Sequence, residues 1–453
     1  MPFTPEQATG FSFDAYDYQA DSGEARFTWT LAMASGEPAH YRFTEVLQFV
    51  DAPPLSDPLQ SAAFHRCLKY LHLALGISYY KAAAPASLTL AGEPIPPDVA
   101  AFFDKLYQKG LGEFSYVNQL DLNGRIHFPS DQNARDEAIA WRPPAATLVP
   151  IGGGKDSLVS IELLRAGEVD FSTFYLGDSP LIDTMAASIG APHIRVRRRL
   201  SPELFELNRR GAYNGHVPIS ALIAFVAVAA SILYGFDAIV LSNERSANAP
   251  NTFFKGQWVN HQYSKSLEFE QDFSDLVTNH ICKDIHYFSL LRRFSELRIA
   301  KLFSRYPQHH AHFGSCNKGF RIHEPKSGRR WCNDCPKCRF VFLSLAPWLD
   351  KERLIDIFGH NLLADESQLD GFRELTGDKN FKPFECVGEV EESLAALHLI
   401  ADRPEWRDDV VVQWFNRNLR DGLAEPEKLV QAQMQDATED RIPKRYRPLI
   451  DAS

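Results

Sequence analysis

Gly152-Gly153-Gly154-Lys155-Asp156-Ser157 is the stretch on which the reading of this chain turns. Before it stands an apolar run of strand length, Thr147-Leu148-Val149-Pro150-Ile151, and after it a helical stretch from Ser157 to Ala166. Glycines in such a turn let the backbone approach a phosphate closely. The free N–H groups at the helix start, with the Ser157 hydroxyl, then face the anion along the positive end of the helix dipole. Lys155 adds a point charge, and Asp156 is suited to holding a magnesium ion. The turn is not a Walker A loop, because Asp156 stands where Ser or Thr should follow the lysine. Nor is it a dinucleotide fingerprint, whose third glycine is missing. The plain alternative is a tight strand–helix turn that binds nothing.

Outward from the turn, Asp170 to Leu176 and Ala238 to Leu241 read as further strands. Strands alternating with helices predict an α/β fold with a doubly wound parallel sheet. Between them, Val217 to Phe236 is apolar enough to pass for a membrane span. It contains Ser220 and Ser231, lacks basic flanks and runs through Gly235 into the next strand, so it reads as a buried helix. Met1-Pro2-Phe3-Thr4-Pro5-Glu6 has no basic or apolar region of a signal peptide, and the expected location is the cytoplasm, with no membrane partner.

The first fifty residues read as β. Phe27, Trp29 and Leu31 alternate with Arg26, Thr28 and Thr30 after the turn-like Asp21-Ser22-Gly23-Glu24, and Tyr41 to Thr44 reads as a third strand. Phe64, Leu68, Leu71 and Leu75 fall at helical spacing before Gly76, a second helix covers Asp98 to Gln108, and Phe114 to Val117 looks like a strand. This predicts a self-contained N-terminal α+β domain over 1–140, the natural place for substrate recognition, with Trp141-Arg142-Pro143-Pro144 as linker. The α/β domain then covers 141–345, and a mainly helical region, with pieces at Glu389 to Ile400 and Glu427 to Asp436, covers 346–453.

Composition agrees with two or three ordinary domains: 453 residues, 45% hydrophobic and 23% charged. With 48 Lys+Arg against 58 Asp+Glu the formal charge is −10, which argues against broad nucleic-acid binding. Four of the seven cysteines fall together, as Cys316 and then Cys332-x-x-Cys335-x-x-Cys338. Four thiolates suit a closed, structural zinc site; an iron–sulfur cluster and unligated buried thiols are the alternatives. His309, His310 and His312 lie nearby and read as bystanders.

Further polar groups follow strand ends: Asn214-Gly215-His216; Ser242-Asn243-Glu244-Arg245; Asn260-His261-Gln262-Tyr263-Ser264-Lys265-Ser266; and Glu268-Phe269-Glu270. The carboxyl edge of an open α/β sheet is where ligands bind. Arg195, Arg197, Arg198 and Arg199 suit either a diphosphate or a solvated strand face. Lys382 to Glu389, which includes Cys386, mixes a thiol, a base and carboxylates.

The glycine turn resembles the pyrophosphate loop (PP-loop) of the ATP pyrophosphatase superfamily, usually Ser-Gly-Gly-x-Asp-Ser, with Gly152 in place of the serine. Sheet-type PP-loop enzymes that make deazaguanine precursors carry a similar four-cysteine zinc site. Together with the 214–218, 242–246, 260–270, cysteine and 382–389 blocks, the chain resembles the UDP-N-acetylmuramoyl-L-alanyl-L-glutamate epimerase (MurL) family over nearly its whole length. The resemblance implies ATP-dependent inversion of the terminal L-glutamate of a peptidoglycan precursor, UDP-MurNAc-L-Ala-L-Glu, through an acyl-adenylate, with release of AMP and diphosphate. It points to Gly152, Gly153, Gly154, Lys155, Asp156, Ser157, Asn243, Glu244 and Arg245 for ATP, with Asp156 also for Mg2+. Lys155, Asp156, His216, His261, Lys265 and Cys386 are the catalytic candidates. Two other readings are open at this point: a PP-loop enzyme modifying a nucleobase or tRNA, and a non-catalytic nucleotide sensor.

Overall fold

The computed structural model describes residues 2–34, 39–318, 330–379 and 383–451, so Lys382 lies outside the described residues. Among these, the main strands in chain order are β1 (Ala8–Gln19), β2 (Glu24–Met33), β3 (His40–Phe49), β4 (Leu88–Leu90), β5 (Thr147–Pro150), β6 (Phe171–Leu176), β7 (His193–Arg199) and β8 (Ala238–Leu241). A separate hairpin of β9 (Thr252–Phe254) and β10 (Gln257–Val259) precedes β11 (His286–Ser289). Nine strands make one mixed sheet in the order β11-β8-β5-β6-β7-β3-β2-β1-β4. From β11 to β7 each neighbouring pair is parallel, as the strand–helix alternation predicts. Beyond β7 the order turns antiparallel through β3, β2 and β1.

The N-terminal strands therefore do not close on themselves. Val46–Phe49 of β3 pairs with Val196–Arg199 of β7, so the two expected units share one sheet. The pairing covers edges that would otherwise expose unpaired backbone groups. The arginine run sits at this seam: fully buried Glu45 accepts from Arg198 at 2.7 and 3.2 Å and from the Tyr79 hydroxyl at 2.7 Å. Arg197 and Arg199 reach Asp178 at 3.4 Å and Glu24 at 2.6 Å.

Alternate residues of a strand face opposite sides of a sheet. Leu148 of β5 and Ile239 of β8 enter one core, with the helices Pro58–Leu75 and Ile219–Tyr234. Val149, Ala238 and Val240 enter the other, with the helices Lys155–Ala166 and Glu296–Ser304 and those of the C-terminal region, Pro336–Leu345 and Val390–Ile400 among them. The helix Ile219–Tyr234 is buried from Ala224 to Leu233, and no helix among the described residues is long and apolar enough to cross a membrane.

Two local expectations change. Phe114 to Val117 is not a strand but part of the helix Gly112–Val117, which follows directly on the helix Pro97–Gly110. Its aromatic and β-branched residues mimic a strand, but Phe114 packs into the core. Trp141, expected in a linker, is 6% exposed, and its carbonyl accepts from the Cys282 thiol at 3.2 Å.

Candidate active site

β5 ends at Pro150, and the chain turns through Gly152–Gly154 into the helix Lys155–Ala166. Gly153 sits at φ 88°, a conformation side chains disfavour, and its carbonyl accepts from the Gly314 N–H at 2.8 Å. That bond ties the turn to the loop leading into Cys316. No side chain caps the helix, so its first N–H groups are free for an anion. Gly152, Gly154, Asp156 and Ser157 line a cavity of about 310 Å³ at the carboxyl ends of β5, β6 and β8. Asn243, Glu244, Lys265, Lys337 and Cys386 line it too.

Lys155 turns inward. Only 2% exposed, it sits between Asp156, at 2.5 Å, and Glu296. Lys337, from within the cysteine triple, also reaches Glu296, at 3.4 Å, and, unlike Lys155, lines the cavity. Burial pushes Glu296 upward, but Lys155 and Lys337 outweigh it and hold its pKa at about 2. Glu244 is pushed up, by burial and by the Glu296 charge. Oxygens of Asp156, Glu244 and Glu296 lie within 4.8 Å of one another, an all-oxygen set that fits a hard divalent cation.

The remaining catalytic candidates come together beside this cavity. Lys265 Nζ donates to Cys386 Sγ at 3.3 Å, and His261 also hydrogen-bonds the sulfur. Nδ1 of His261 contacts Glu113, whose carboxylate also lies 3.5 Å from His216 Nδ1. The two imidazoles stand 4.5 Å apart, centre to centre. Their environments divide them. Burial pushes His261 down, but Cys386 and Glu113 raise it to about 9. Burial and His261 together drop His216 to about 4. Cys386 is pushed up by burial but more strongly down by Lys265 and His261, to about 5.

Buried polar groups hold these segments in place. Arg292, 1% exposed, donates to the Glu244 and Lys265 carbonyls, each at 2.8 Å, and to the Glu270 carboxylate at 2.7 Å. Asn251 accepts from the His261 N–H at 2.9 Å and donates to the Pro383 carbonyl at 2.8 Å, bringing the Cys386 segment to the loop after β10. Arg245 turns elsewhere: its guanidinium donates to the Ala432 and Gln435 carbonyls and to Gln433.

Cys316, Cys332, Cys335 and Cys338 bring their sulfurs within 4.8 Å of one another. Cys332 and Cys338 are 3.8 Å apart, which equals the roughly 3.8 Å edge of a tetrahedron whose thiolates lie about 2.3 Å from one zinc ion. A cubane cluster, with each thiolate on a separate iron, calls for wider spacing. His309 instead pairs with Glu162 at 2.7 Å, and His310 faces the Phe303 carbonyl at 3.3 Å.

Sequence reasoning missed Glu113, Glu296 and Lys337. Glu113 lay just before a stretch read as strand, and Lys337 was hidden within the cysteine triple. No local spacing signals Glu296.

An open sheet with a charged cavity at the carboxyl ends of its parallel strands defines an α/β protein with a polar ligand site. Residues 2–290 match the profile described as the MurL N-terminal domain, and residues 312–430 match the MurL C-terminal domain. A protein of Xanthomonas oryzae pv. oryzae, described as UDP-N-acetyl-alpha-D-muramoyl-L-alanyl-L-glutamate epimerase, is 42% identical over 441 residues, covering 97% of this chain and 96% of that one. Proteins of the same description from Micromonospora sp. and Salinispora tropica are each 43% identical, covering 89% of this chain and 89% and 87% of their own. This chain belongs to the MurL family.

Proposed function

We propose that the protein inverts the terminal L-glutamate of UDP-MurNAc-L-Ala-L-Glu to D-glutamate in the cytoplasm, for peptidoglycan synthesis, with ATP and Mg2+ and release of AMP and diphosphate. The observation that carries this reading is that one cavity holds both halves of such chemistry. A glycine turn and the carboxylates Asp156 and Glu244, with Glu296 buried behind them, meet there with Cys386 and Lys265, which are backed by His261 and Glu113.

The α-proton of a carboxylate is hard to remove, because the carbanion forms beside a negative group. Attack of a substrate carboxylate oxygen on the α-phosphorus of ATP expels diphosphate and leaves an acyl-adenylate whose carbonyl carries no negative charge, so that its α-proton is acidic. In this reading the PP-loop is Gly152 to Ser157. Gly152, Gly153 and Gly154, the helix N–H groups and Ser157 hold the phosphates, Asn243 faces the nucleotide, and Lys337 supplies the charge that Lys155 directs inward. Ser315, whose Cβ lies 3.6 Å from where a Gly154 side chain would begin, brings a hydroxyl in place of the one Gly152 lacks. Asp156, Glu244 and Glu296 would hold Mg2+, which would offset charge on the departing diphosphate. The four cysteines would hold a structural Zn2+. The groups that remove the α-proton and return one to the other face are drawn from His216, His261, Lys265 and Cys386. Hydrolysis of the activated acyl group restores the carboxylate and makes the cycle irreversible.

The test is AMP and diphosphate release from Mg-ATP with this substrate, with tRNA and with a free deazaguanine precursor in parallel. Release only with the muramyl dipeptide nucleotide supports the reading. Release with a nucleobase or tRNA, or binding of ATP without turnover, contradicts it.

A further inference from the structure

The geometry points to Cys386 as a nucleophile, with the acyl group passing from the adenylate to its sulfur as a thioester before inversion. His261 and Glu113 are then positioning residues. This rests on the epimerase reading and adds a covalent step to it.

Thiol, imidazole and carboxylate stand in the order that activates nucleophiles in acyl transfer: His261 interacts with Cys386 and lowers its pKa, and Nδ1 of His261 contacts Glu113. The three come from distant segments: the helix Gly112–Val117, the loop after β10, and the stretch before the helix Val390–Ile400. The sulfur lines the same cavity as the glycine turn, where an acyl-adenylate anchored by its phosphate would present its carbonyl carbon. Lys265 Nζ, 3.3 Å from the sulfur, lies where negative charge develops on the carbonyl oxygen during attack.

The environment of Cys386 suits this work better than proton abstraction. The buried thiols Cys67 and Cys282 are both pushed up by burial. Cys386 is held near 5, so it is ionised at neutral pH and departs readily, but it is a weak base for a carbon-bound proton. A thioester serves inversion as well as an adenylate does, because its carbonyl also carries no negative charge.

The step balances without a further reactant. A sulfur lone pair attacks the acyl carbon, the bond from that carbon to the AMP oxygen breaks, and AMP leaves with the electron pair. After inversion, water adds to the thioester and the carbon–sulfur bond breaks. The thiolate and the D-glutamyl carboxylate result, with two protons released. His216, neutral at that pH beside His261, is placed to take the first of them from the attacking water, and the second passes to solvent.

The test uses the full-length protein with Mg-ATP and substrate carrying 14C in its glutamate. Turnover is quenched in acid and the protein precipitated. Wild type should retain label that hydroxylamine releases as the hydroxamate, on the peptide containing Cys386. Cys386→Ala should retain none and lose inversion, while ATP–diphosphate exchange, which needs only the adenylation groups, persists. Glu113→Gln should slow labelling and displace the pH limbs of turnover, and Glu113→Asp should restore part of the rate. Substrate-dependent AMP without protein-bound label overturns the thioester and leaves the epimerase standing, as does inversion by Cys386→Ala at the wild-type rate. Absence of AMP with this substrate overturns both.

Discussion

Lys155 carries the charge expected of a phosphate ligand, yet the fold directs it to Asp156 and Glu296. A buried pair contributes little net stability when intact, but removing one partner leaves an uncompensated charge. Glu296→Gln leaves Lys337 without this carboxylate and Lys155 with Asp156 alone, and should lower unfolding free energy by about 3–5 kcal/mol at neutral pH, measured by denaturant titration. The pH dependence has a definite sign. The folded-state pKa of Glu296, about 2, lies below its ordinary 4.5, so its contribution is complete above that value and is lost as pH falls towards 2. The variant should lack that component of acid sensitivity. At the second cluster the thiolate needs pH above about 5 and the imidazolium pH below about 9. Turnover should therefore be bell-shaped between those limits, and a rate still rising at pH 10 would contradict a working Cys386–His261 ion pair. His216, His261, Lys265 and Cys386 were legible in the sequence because chemistry-bearing residues crowded short stretches. The convergence of His216 and His261 on Glu113, some 150 residues upstream of His261, was not, because contacts across the chain leave no spacing to read.

At the scale of elements, strands and helices with strong periodicity were readable: β5, β6, β8 and the buried helix Ile219–Tyr234 fall where the pattern puts them. The helix Gly112–Val117 escaped because a short aromatic run satisfies either period, and tertiary packing decided it. The seam between β3 and β7 escaped because strand order in a sheet is a long-range matter. Arg198→Ala, which leaves Glu45 buried without its partner there, should cost about 3–5 kcal/mol. It should also loosen the N-terminal strands first, seen as faster hydrogen exchange over β2 and β3 than over β5 and β8.

For the molecule as a whole, one sheet carries two cores, and the candidate-site groups are gathered from elements of both cores and from the C-terminal region. Cys335→Ser should lose bound metal and folded protein together, since the cysteine loop is hydrogen-bonded to the glycine turn; stable, metal-free, active protein would contradict a structural zinc. Asp156→Ala should abolish AMP formation while leaving the fold intact by circular dichroism. The most direct measurement of the central claim is a single reaction in D2O with Mg-ATP and UDP-MurNAc-L-Ala-L-Glu, followed by chiral analysis and mass spectrometry of the released glutamate alongside AMP. The account predicts D-glutamate carrying one α-deuterium, formed only as AMP accumulates. D-Glutamate without AMP, or AMP with the glutamate still L and undeuterated, would contradict it.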